Sequence, residues 1–427
     1  MIGTSLIALL IVMGIGIPVS ASLFLLGVIL TSMYSPLPVI RALGEISWTV
    51  SNEFVLVAVP LYILMGEILM RSGISERMYA AIVQWVSWLP GGLMPANIGF
   101  CAMFAATSGS SVATAATIGT VAIPEIKKRG YNEPLFLGSI AAGGTLGILI
   151  PPSVNLILYG ALTNTSIPQL YLAGFLPGFV LASLFVLIIV ILCLVRPEWG
   201  GQKVKTSWSQ RIAVLPDLIP PLFIFLVVIG TIYTGFATPT ESAALGVVCA
   251  LGLAAMRKRL TWETFIRSVE GCARMTAMVM AILLAAYFLN LVFGIVGLTS
   301  QLNKLITELG LTPFQTLFFV IVFYVILGCF METLSMMVAT VPIITPVMVS
   351  LGFDPVWFGI IIIILVETAM ITPPVGINLY VVQGLRKGGK MKDVIMGSLP
   401  FVVALFIMLF VLSVFPDLAL FLPRVFG

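Results

Sequence analysis

The sequence predicts an all-α polytopic membrane protein made of two inverted repeats, with about ten transmembrane helices and two re-entrant helical hairpins. Three observations lead to this prediction. The chain of 427 residues is 60% hydrophobic and only 9% charged, with a mean hydropathy of +1.17, which is far more apolar than a soluble domain. Apolar runs long enough for a helical membrane span recur from end to end. The two halves also share a pattern of prolines and glycines at a constant offset of 222 residues.

Composition excludes several classes of function. The net charge of +4 is spread over the loops, so nucleic-acid binding has no support. The chain contains no histidine, which removes the commonest metal ligand and general base. The cysteines are scattered without CxxC spacing, so each is interpreted as a small buried hydrophobe rather than a disulfide or metal ligand. They are Cys101, Cys193, Cys249, Cys272 and Cys329. We therefore predict no catalytic residue and no enzyme.

The apolar segments define the predicted elements in chain order. They are 3–17, 19–34, 52–71, 93–126, 134–163, 168–195, 214–235, 239–256, 272–297, 313–350, 355–385 and 395–422. The first segment lacks a basic region and a small-residue cleavage site, so we expect it to be retained. The longest polar stretch, "RPEWGGQKVKTSWSQR" (196–211), divides the chain nearly in half. The predicted domains are a first repeat (1–195), a cytoplasmic linker (196–213) and a second repeat (214–427).

The two halves align over a long block without a gap. The stretch "GYNEPLFLGSIAAGGTLGILIPPS" begins at Gly130, and "GFDPVWFGIIIIILVETAMITPPV" begins at Gly352. At the same offset Pro124 aligns with Pro346. The identity is weak but the positions of the helix breakers agree, which predicts an internal repeat.

Basic residues predict the topology, because cytoplasmic loops carry an excess of Lys and Arg. All four basic clusters lie in the cytoplasm only if segments 93–126 and 313–350 each return to the side that they left. These segments of 34 and 38 residues are about the length of two short helices. The two hairpins then open to opposite sides, as inverted repeats require, and the N-terminus lies outside. The clusters are Lys127–Arg129, then Arg196, Lys203, Lys205 and Arg211, then Arg257–Arg259, and finally Arg386, Lys387, Lys390 and Lys392.

Two proline pairs interrupt apolar segments at equivalent positions. Pro151-Pro152 lies in segment 134–163, and Pro373-Pro374 lies in segment 355–385. Matched helix breaks are the best sequence indicator of a midplane binding site in a transporter. The carbonyls that a break exposes suit Na⁺, and its N–H groups suit a carboxylate. The alternative is a kink that only improves packing, and two matched pairs favour an ion site.

The predicted hairpin tips are polar. The first, "ATSGSSVATAATIGT" (106–120), contains the turn-forming sequence SGSS at 108–111. The second, "GCFMETLSMM" (328–337), carries Glu332, Thr333 and Ser335. A glutamate in an apolar re-entrant segment is a functional candidate, so Glu332 is interpreted as an ion or substrate contact, with helix capping as the alternative.

Other polar residues keep two interpretations. Glu367 is either functional or packed against a backbone donor. Asn155 and Asn378, just after the proline pairs, either satisfy the broken backbone or contact substrate. Glu67 and Arg71 have i,i+4 spacing, which favours a surface ion pair.

The combination of "SGSSVAT", "GILIPPS", "TPTE", "GCFMETLSM" and "ITPPVG" resembles the large membrane subunit of TRAP (tripartite ATP-independent periplasmic) transporters over essentially the whole chain. The resemblance implies an elevator mechanism, in which the two hairpins and two broken helices move across a scaffold of the remaining helices. It also implies Na⁺ coupling, a small four-helix membrane subunit, a periplasmic substrate-binding protein and a location in the bacterial inner membrane. We expect the unfused form, in which the small subunit is a separate chain.

The resemblance also implies specific site residues, with Na⁺ as the only metal. One Na⁺ site is expected between the first tip and the first break, at Gly109, Ser110, Ser111, Gly147, Pro151 and Ser153. The other is expected between the second tip and the second break, at Gly328, Glu332, Thr333, Thr372, Pro373 and Gly376. Substrate is expected between the tips, with Ser111, Asn155, Ser335 and Asn378 as candidate contacts.

The expected substrate is a small organic anion such as a carboxylate or sugar acid. The second tip reads Met-Glu-Thr-Leu-Ser at 331–335, where dicarboxylate and sialic-acid members carry an Asp-Pro-Thr-like sequence. This departure leaves another organic acid or a small sulfonate as alternatives.

Three competing functions make different predictions. A stand-alone Na⁺/divalent-anion symporter of related architecture would transport without partners, and its expected Ser-Asn-Thr signature is missing from these tips. A channel is a poor interpretation, because two matched, gated half-sites suit alternating access better than a continuous pore. A membrane enzyme lacks the His, acid dyad or metal-ligand set that its chemistry needs.

Overall fold

The computed structural model describes residues 2–35, 37–202, 206–386 and 388–426. Within these ranges the chain is helical, and the only β-type pairing is one isolated antiparallel bridge between Tyr131 and Gly200. The predicted all-helical class is therefore confirmed. Lys203, Lys205 and Lys387 of the predicted basic clusters lie outside the described residues.

The helices are numbered in chain order. The first half contains α1 (Ile2–Gly14), α2 (Val19–Tyr34), α3 (Leu43–Ser51), α4 (Ala58–Arg71), α5 (Ile74–Val86), α6 (Leu93–Ser108), α7 (Ser111–Arg129), α8 (Glu133–Leu149), α9 (Val154–Thr163) and α10 (Ile167–Val195). The second half contains α11 (Trp208–Ala213), α12 (Ile219–Tyr233), α13 (Pro239–Met256), α14 (Trp262–Val296), α15 (Leu298–Glu308), α16 (Pro313–Gly328), α17 (Thr333–Ser350), α18 (Pro355–Ile371), α19 (Ile377–Leu385), α20 (Met391–Val414) and α21 (Asp417–Phe426). Short 3₁₀ helices at Val39–Ala42, Phe54–Val57, Pro197–Trp199 and Leu215–Asp217 connect some of them.

Six helical stretches in the described part of the chain are long and apolar enough to cross a membrane. They are Phe54–Arg71, Ile167–Val195, Pro239–Met256, Trp262–Val296, Thr333–Ser350 and Met391–Val414. The number is eight if two bent pairs each count as one span: α8 with α9, bent by 42°, and Trp208–Asp217 with α12, bent by 47°. The described part of the chain also contains shorter apolar helices of 10–17 residues, namely α2, α16, α18 and Leu93–Ala105. The count of about ten spans and the sidedness of the loops stay predictions.

The helix bounds agree with the segments predicted as hairpins and broken helices, whose re-entrant and inverted-repeat arrangement stays a prediction. The first hairpin is α6 and α7, which ends three residues beyond the predicted position 126, and the second is α16 and α17 over 313–350. The first broken helix is α8 and α9, and the second is α18 and α19 over 355–385. The segment 3–34 is also divided as predicted, into α1 and α2.

Local sequence explains where these helices begin. Asn132, Thr312 and Asp354 each accept a hydrogen bond from a backbone N–H of the following first turn. A proline follows each of them within two residues, in the first turn of the helix, where the missing N–H costs nothing. The helices that carry the predicted site therefore begin at positions that the sequence defines.

The helices form two groups by their contacts. Hairpins and broken helices pack together with α10 and α20, whereas α2, α4, α13 and α14 pack mainly with one another. Within the first group, each broken helix uses its first half to contact its own hairpin, so that α8 packs on α6 and α7 while α18 packs on α16 and α17. The second halves cross over: α19 contacts α7, and α9 contacts α17.

The closest helix contact joins the two halves of the chain through glycines. A Cβ at Gly138 of α8 would lie 1.9 Å from the carbonyl oxygen of Gly397 in α20, and a Cβ at Gly397 would lie 1.7 Å from that of Pro134. Close backbone approach through small residues is a common basis of helix packing in membranes. Here it holds the first broken helix against the helix that follows the second.

Some predicted boundaries are wrong. Helix α14 begins at Trp262, not at 272, because its polar first part continues as an amphipathic helix with i,i+4 ion pairs such as Glu263–Arg267 and Glu270–Arg274. Helices α3, α5 and α15 have no counterpart among the predicted apolar segments, since each carries several polar residues.

Candidate functional site

Both hairpin tips line one cavity of about 500 Å³. The first tip contributes 108–111 and the second contributes 332–335, and Asn155 of α9 also belongs to the lining. The opposite wall comes from the α1–α2 connection, α4 and α14, and it is largely apolar. The predicted juxtaposition of the two tips is therefore present in the fold.

The first tip is a tight turn held by its own polar groups. Gly109 has a φ of +58°, in the left-handed region that glycine adopts readily. Ser110 caps α7, because its hydroxyl accepts a hydrogen bond from the N–H of Ala113. The hydroxyl of Thr114 donates to the carbonyl oxygen of Ser110 at 2.7 Å and lies 2.9 Å from the hydroxyl of Ser108. Ser110 is half-buried and the neighbouring Ser111 is buried.

The first tip lies directly against the first helix break. A Cβ at Gly147 would lie 2.9 Å from the carbonyl oxygen of Ser110, and a Cβ at Gly109 would lie 3.2 Å from that of Pro152. The break itself is fully buried, with a cis bond between Pro151 and Pro152. The hydroxyl of Ser153 donates to the carbonyl oxygen of Ile148 at 2.5 Å. The predicted residues of the first ion site therefore come together.

Glu332 caps a helix at the second tip. Its carboxylate accepts hydrogen bonds from the N–H and hydroxyl of Ser335, at 3.2 and 3.0 Å, and from the hydroxyl of Thr333, at 2.8 Å. The capping interpretation is thus realised, and the carboxylate is also half-exposed on the cavity wall. At the aligned position of the first repeat, 222 residues earlier, Ser110 caps α7 in the same way.

The second tip also meets its helix break. The thiol of Cys329 donates to the carbonyl oxygen of Pro373 at 3.5 Å, and a Cβ at Gly328 would lie 2.4 Å from Cβ of Ala369. The hydroxyl of Thr372 donates to the carbonyl oxygen of Thr368 at 2.6 Å. The backbone then turns at Gly376, whose φ is +42°.

The two breaks differ in burial. Pro151 and Pro152 are buried, whereas Pro373 is half-buried and Pro374 is exposed in the isolated chain. The bond between Pro373 and Pro374 is also cis. Both breaks touch their own hairpin tips, so the exposure of Pro374 does not separate the second break from its tip.

The two asparagines behave differently. The amide of Asn378 donates to the hydroxyl of Ser111 at 2.8 Å and to the carbonyl oxygen of Ala141 at 3.0 Å. It therefore joins the second broken helix to the first tip. Asn155 is 4% exposed, lines the cavity, and its amide nitrogen has no hydrogen-bond partner in the described part of the chain. Asn155 is thus the candidate with free donors at the cavity.

Glu367 does not pack against a backbone donor. Its side chain is fully buried in α18, and neither carboxyl oxygen has a hydrogen-bond partner among the described residues. The packing interpretation of this residue is therefore wrong, because no donor reaches it.

The cavity wall contains residues that the sequence did not single out. Glu67, interpreted as part of a surface pair, does bond Arg71 at 2.9 Å but also lines the cavity, as do Met275 and Met278 of α14. No Lys or Arg occurs among the lining residues that the structure describes. Gly66, which precedes Glu67 in α4 and also lines the cavity, lies against the first tip, since its Cβ would lie 3.0 Å from the carbonyl oxygen of Ser108. That small residue is the signal that could have indicated contact with the tip.

These features together define a multi-pass membrane transport protein, and comparison with known proteins gives its family. The family described as "Tripartite ATP-independent periplasmic transporter, DctM component" matches residues 6–418. The chain belongs to this family of TRAP transporter large permeases. It is an integral membrane protein and a transporter component, not an enzyme.

Several relatives are similar over nearly their whole length. The C4-dicarboxylate TRAP transporter large permease of Rhodobacter capsulatus is 33% identical, over 96% of both chains. The corresponding protein of Vibrio cholerae is 31% identical, over 96% of this chain and 94% of the relative. The sialic acid TRAP transporter large permease of Vibrio cholerae is 32% identical, over 88% and 87%.

A solved structure shares the fold. The YdaH transporter of Alcanivorax borkumensis superposes with a TM-score of 0.67 over 96% of this chain and 98% of that chain, at 14% identity. At this identity the likeness concerns the fold alone.

Proposed function

We propose that this chain is the large membrane subunit of a Na⁺-coupled, binding-protein-dependent secondary transporter, and that it imports a small organic anion by an elevator mechanism. The single observation behind the proposal is that two hairpin tips line one cavity and each tip lies against its own helix break. A site built this way presents main-chain dipoles to ions without requiring charged side chains in the membrane.

Sodium is the coupling ion in this proposal. Carbonyl and hydroxyl oxygens are the ligands that hard cations prefer. At the first site they come from Ser110, Ser111 and Ser153, where the turn at Gly109 approaches the break beside Gly147. At the second site they come from Thr333 and Thr372, with Glu332 on the same tip.

The substrate lies between the tips. The free amide donors of Asn155 suit an oxygen of an anionic group, and the hydroxyls of Ser111 and Ser335 are close by on the two tips. Relatives are named for transport of C4-dicarboxylate, sialic acid, isethionate and ectoine. These compounds form the first panel of test substrates.

The elevator motion uses the two helix groups. The hairpins and broken helices, packed with α10 and α20, form the moving domain, and α2, α4, α13 and α14 form the scaffold. The crossed contacts of α9 and α19 favour movement of the hairpins and breaks as one unit. The partners are a small four-helix membrane subunit and a periplasmic substrate-binding protein, and the complex lies in the bacterial inner membrane.

Reconstitution tests the proposal. The chain is placed in proteoliposomes with and without its small subunit and binding protein, and uptake of each panel compound is measured under an inward Na⁺ or K⁺ gradient. We expect uptake only with both partners and with Na⁺. Uptake by the chain alone would favour the stand-alone symporter, and equal uptake with K⁺ would contradict Na⁺ coupling.

A matched pair of variants examines the first Na⁺ site. Ser111→Ala removes a tip hydroxyl, and we expect a modestly weaker dependence of uptake on Na⁺. Ser183→Ala removes a hydroxyl from α10 that only bonds its own helix, at the carbonyl oxygen of Phe179, and we expect no change. An identical Na⁺ dependence of both variants would argue against the site.

A further inference from the structure

Glu367 is an isolated carboxyl group inside α18. Its side chain is fully buried, and both oxygens lack hydrogen-bond partners in the described part of the chain. Every residue of α18 from Val356 to Ile371 is buried as well. Glu367 lies more than one helical turn before Thr372 and is not part of the proposed Na⁺ sites.

No charged group that the structure describes forms a hydrogen bond or ion pair with the Glu367 carboxyl. Helix α18 packs against α8, α9, α10, α16, α17, α19, α20 and α21. None of the titratable or charged groups that the structure describes on these helices or at their ends forms a hydrogen bond or an ion pair with Glu367. Those groups, with the N-cap of α18 included, are Glu133, Tyr159, Tyr171, Cys193, Arg196, Tyr324, Cys329, Glu332, Asp354, Tyr380, Arg386, Lys390, Lys392, Asp393, Asp417 and Arg424.

The basic group nearest to the ends of the broken helices is already engaged. Arg386 pairs with Glu133 at 2.9 Å and with Asp393 at 3.0 Å. An ionised carboxylate alone in an apolar interior is strongly unfavourable, and such groups become neutral instead. The environment of Glu367 therefore favours the neutral acid.

The repeat supports the same assignment. At the offset of 222 residues, Glu367 aligns with Thr145 of α8. Thr145 is fully buried, and its hydroxyl donates to the carbonyl oxygen of Ala142 at 2.8 Å. A neutral hydroxyl thus occupies the equivalent position in the first repeat, and a protonated carboxyl is the corresponding neutral donor.

Glu367 also lies close in sequence to the parts of α18 that meet the site. Ala369 packs against Gly328 of the second tip, and Met370 lines the cavity. A local opening of the second tip, within a domain that otherwise moves as one unit, would uncover this turn of the helix. Such an opening would give a proton a route between Glu367 and the cavity.

We propose that Glu367 is a proton-binding site of the moving domain, and that the domain crosses the membrane only when this carboxyl is protonated. The proton joins the carboxylate oxygen from water in the cavity and leaves by the same route, so no other reactant is needed. The link to transport rests on the proposed function, whereas proton binding itself does not.

Infrared spectroscopy tests proton binding without any transport assay. At neutral pH exposed carboxyl groups are ionised, so a C=O stretching band of a carboxylic acid reports a buried protonated group. We expect this band in the purified wild-type chain, its loss in Glu367→Gln, and its retention in Glu76→Gln, which changes an exposed glutamate of α5. A wild-type spectrum without the band, or a Glu367→Gln spectrum that keeps it, would overturn the proposal.

The pH dependence of uptake by the reconstituted complex tests the link to transport. Above the pH at which Glu367 titrates, its protonated fraction falls about tenfold per pH unit, and we expect wild-type uptake to fall with it. The side chain in Glu367→Gln stays neutral at every pH, so uptake by this variant should not show the fall at alkaline pH. Superimposable pH profiles of the two proteins would overturn the link.

A second neutral variant controls for misfolding of Glu367→Gln. Glu367→Thr copies the residue at the aligned position in the first repeat, and it should behave like Glu367→Gln in both experiments. If the acid band is found but uptake is independent of Na⁺, the proposed Na⁺ coupling fails while the proton site stands. If uptake depends on Na⁺ but the band is missing, the proton site fails alone.

Discussion

Replacing Gly147 by alanine should weaken Na⁺ binding at the site that we propose for the first tip. The added Cβ would lie 2.9 Å from the carbonyl oxygen of Ser110, 3.0 Å from its carbonyl carbon and 3.2 Å from the nitrogen of Ser111. Ordinary contacts begin at 3.4 Å, so the tip must retreat by about 0.5 Å. Binding sites tolerate displacements of only about this size. We expect roughly a tenfold loss of Na⁺ affinity, which corresponds to about 1.4 kcal/mol.

The stability of the Na⁺-free protein should fall only modestly, because two opposing effects partly cancel. Alanine gains about 1 kcal/mol over glycine in a helix, and overpacking costs about 1–3 kcal/mol. The net loss is therefore about 0–2 kcal/mol. The assay is thermal unfolding of the purified chain as NaCl replaces KCl at constant ionic strength, and the Na⁺ concentration at half-maximal stabilisation is compared between proteins.

Two other glycines serve as controls. Gly252 of α13 has no atom within 4 Å of its would-be Cβ, so Gly252→Ala should leave the Na⁺ midpoint and the stability nearly unchanged. Gly138→Ala, in the same helix as Gly147, would force α8 and α20 apart and should lower the unfolding temperature equally with and without Na⁺. An unchanged Na⁺ midpoint in folded Gly147→Ala would refute the reasoning, as would an equal shift in Gly138→Ala.

The remaining predictions concern side-chain bonds and are read out by thermal unfolding. Asn378→Ala removes two buried hydrogen bonds and should cost about 1–3 kcal/mol, more than Asn155→Ala, whose amide nitrogen has no partner; equal losses would contradict the bridging role. Glu332→Ala removes a helix cap and should cost about 1 kcal/mol, whereas Glu332→Gln keeps an acceptor and should cost less; the reverse order would indicate that the charge, not the cap, matters. Arg386→Ala removes the ion pairs with Glu133 and Asp393 and should lower the unfolding temperature, and an unchanged unfolding temperature would show that these pairs are not stabilising.

Helix breakers made the architecture predictable from sequence. Prolines and glycines act on the backbone within a few residues, so the pairs at 151–152 and 373–374 define the breaks without knowledge of the tertiary fold. The turn SGSS at 108–111 defines the first tip in the same way. The bounds of both hairpins and both broken helices follow from these local signals.

Contacts between distant segments were not predictable. Asn378 and Ser111 are separated by 267 residues, and nothing local indicates that they bond. The sequence also did not decide whether Glu332 caps a helix or contacts an ion or substrate, because both roles use the same carboxylate. The predicted ion pair of Glu67 with Arg71 is confirmed, but the position of Glu67 on the cavity wall was not predictable, because it depends on packing against the tip.

The crossed contacts bear on how two ion sites could act together. Each tip touches the first half of its own break, and each hairpin also touches the second half of the opposite break. The bond from Asn378 to Ser111 is one such cross-link. An ion that orders the first tip therefore also restrains the helix that follows the second break. Binding free energies at two sites joined in this way are linked, and the linkage is reciprocal. If Na⁺ binds at both breaks as proposed, the loss of affinity in Gly147→Ala should extend to the second site, and Asn378→Ala should reduce that extension.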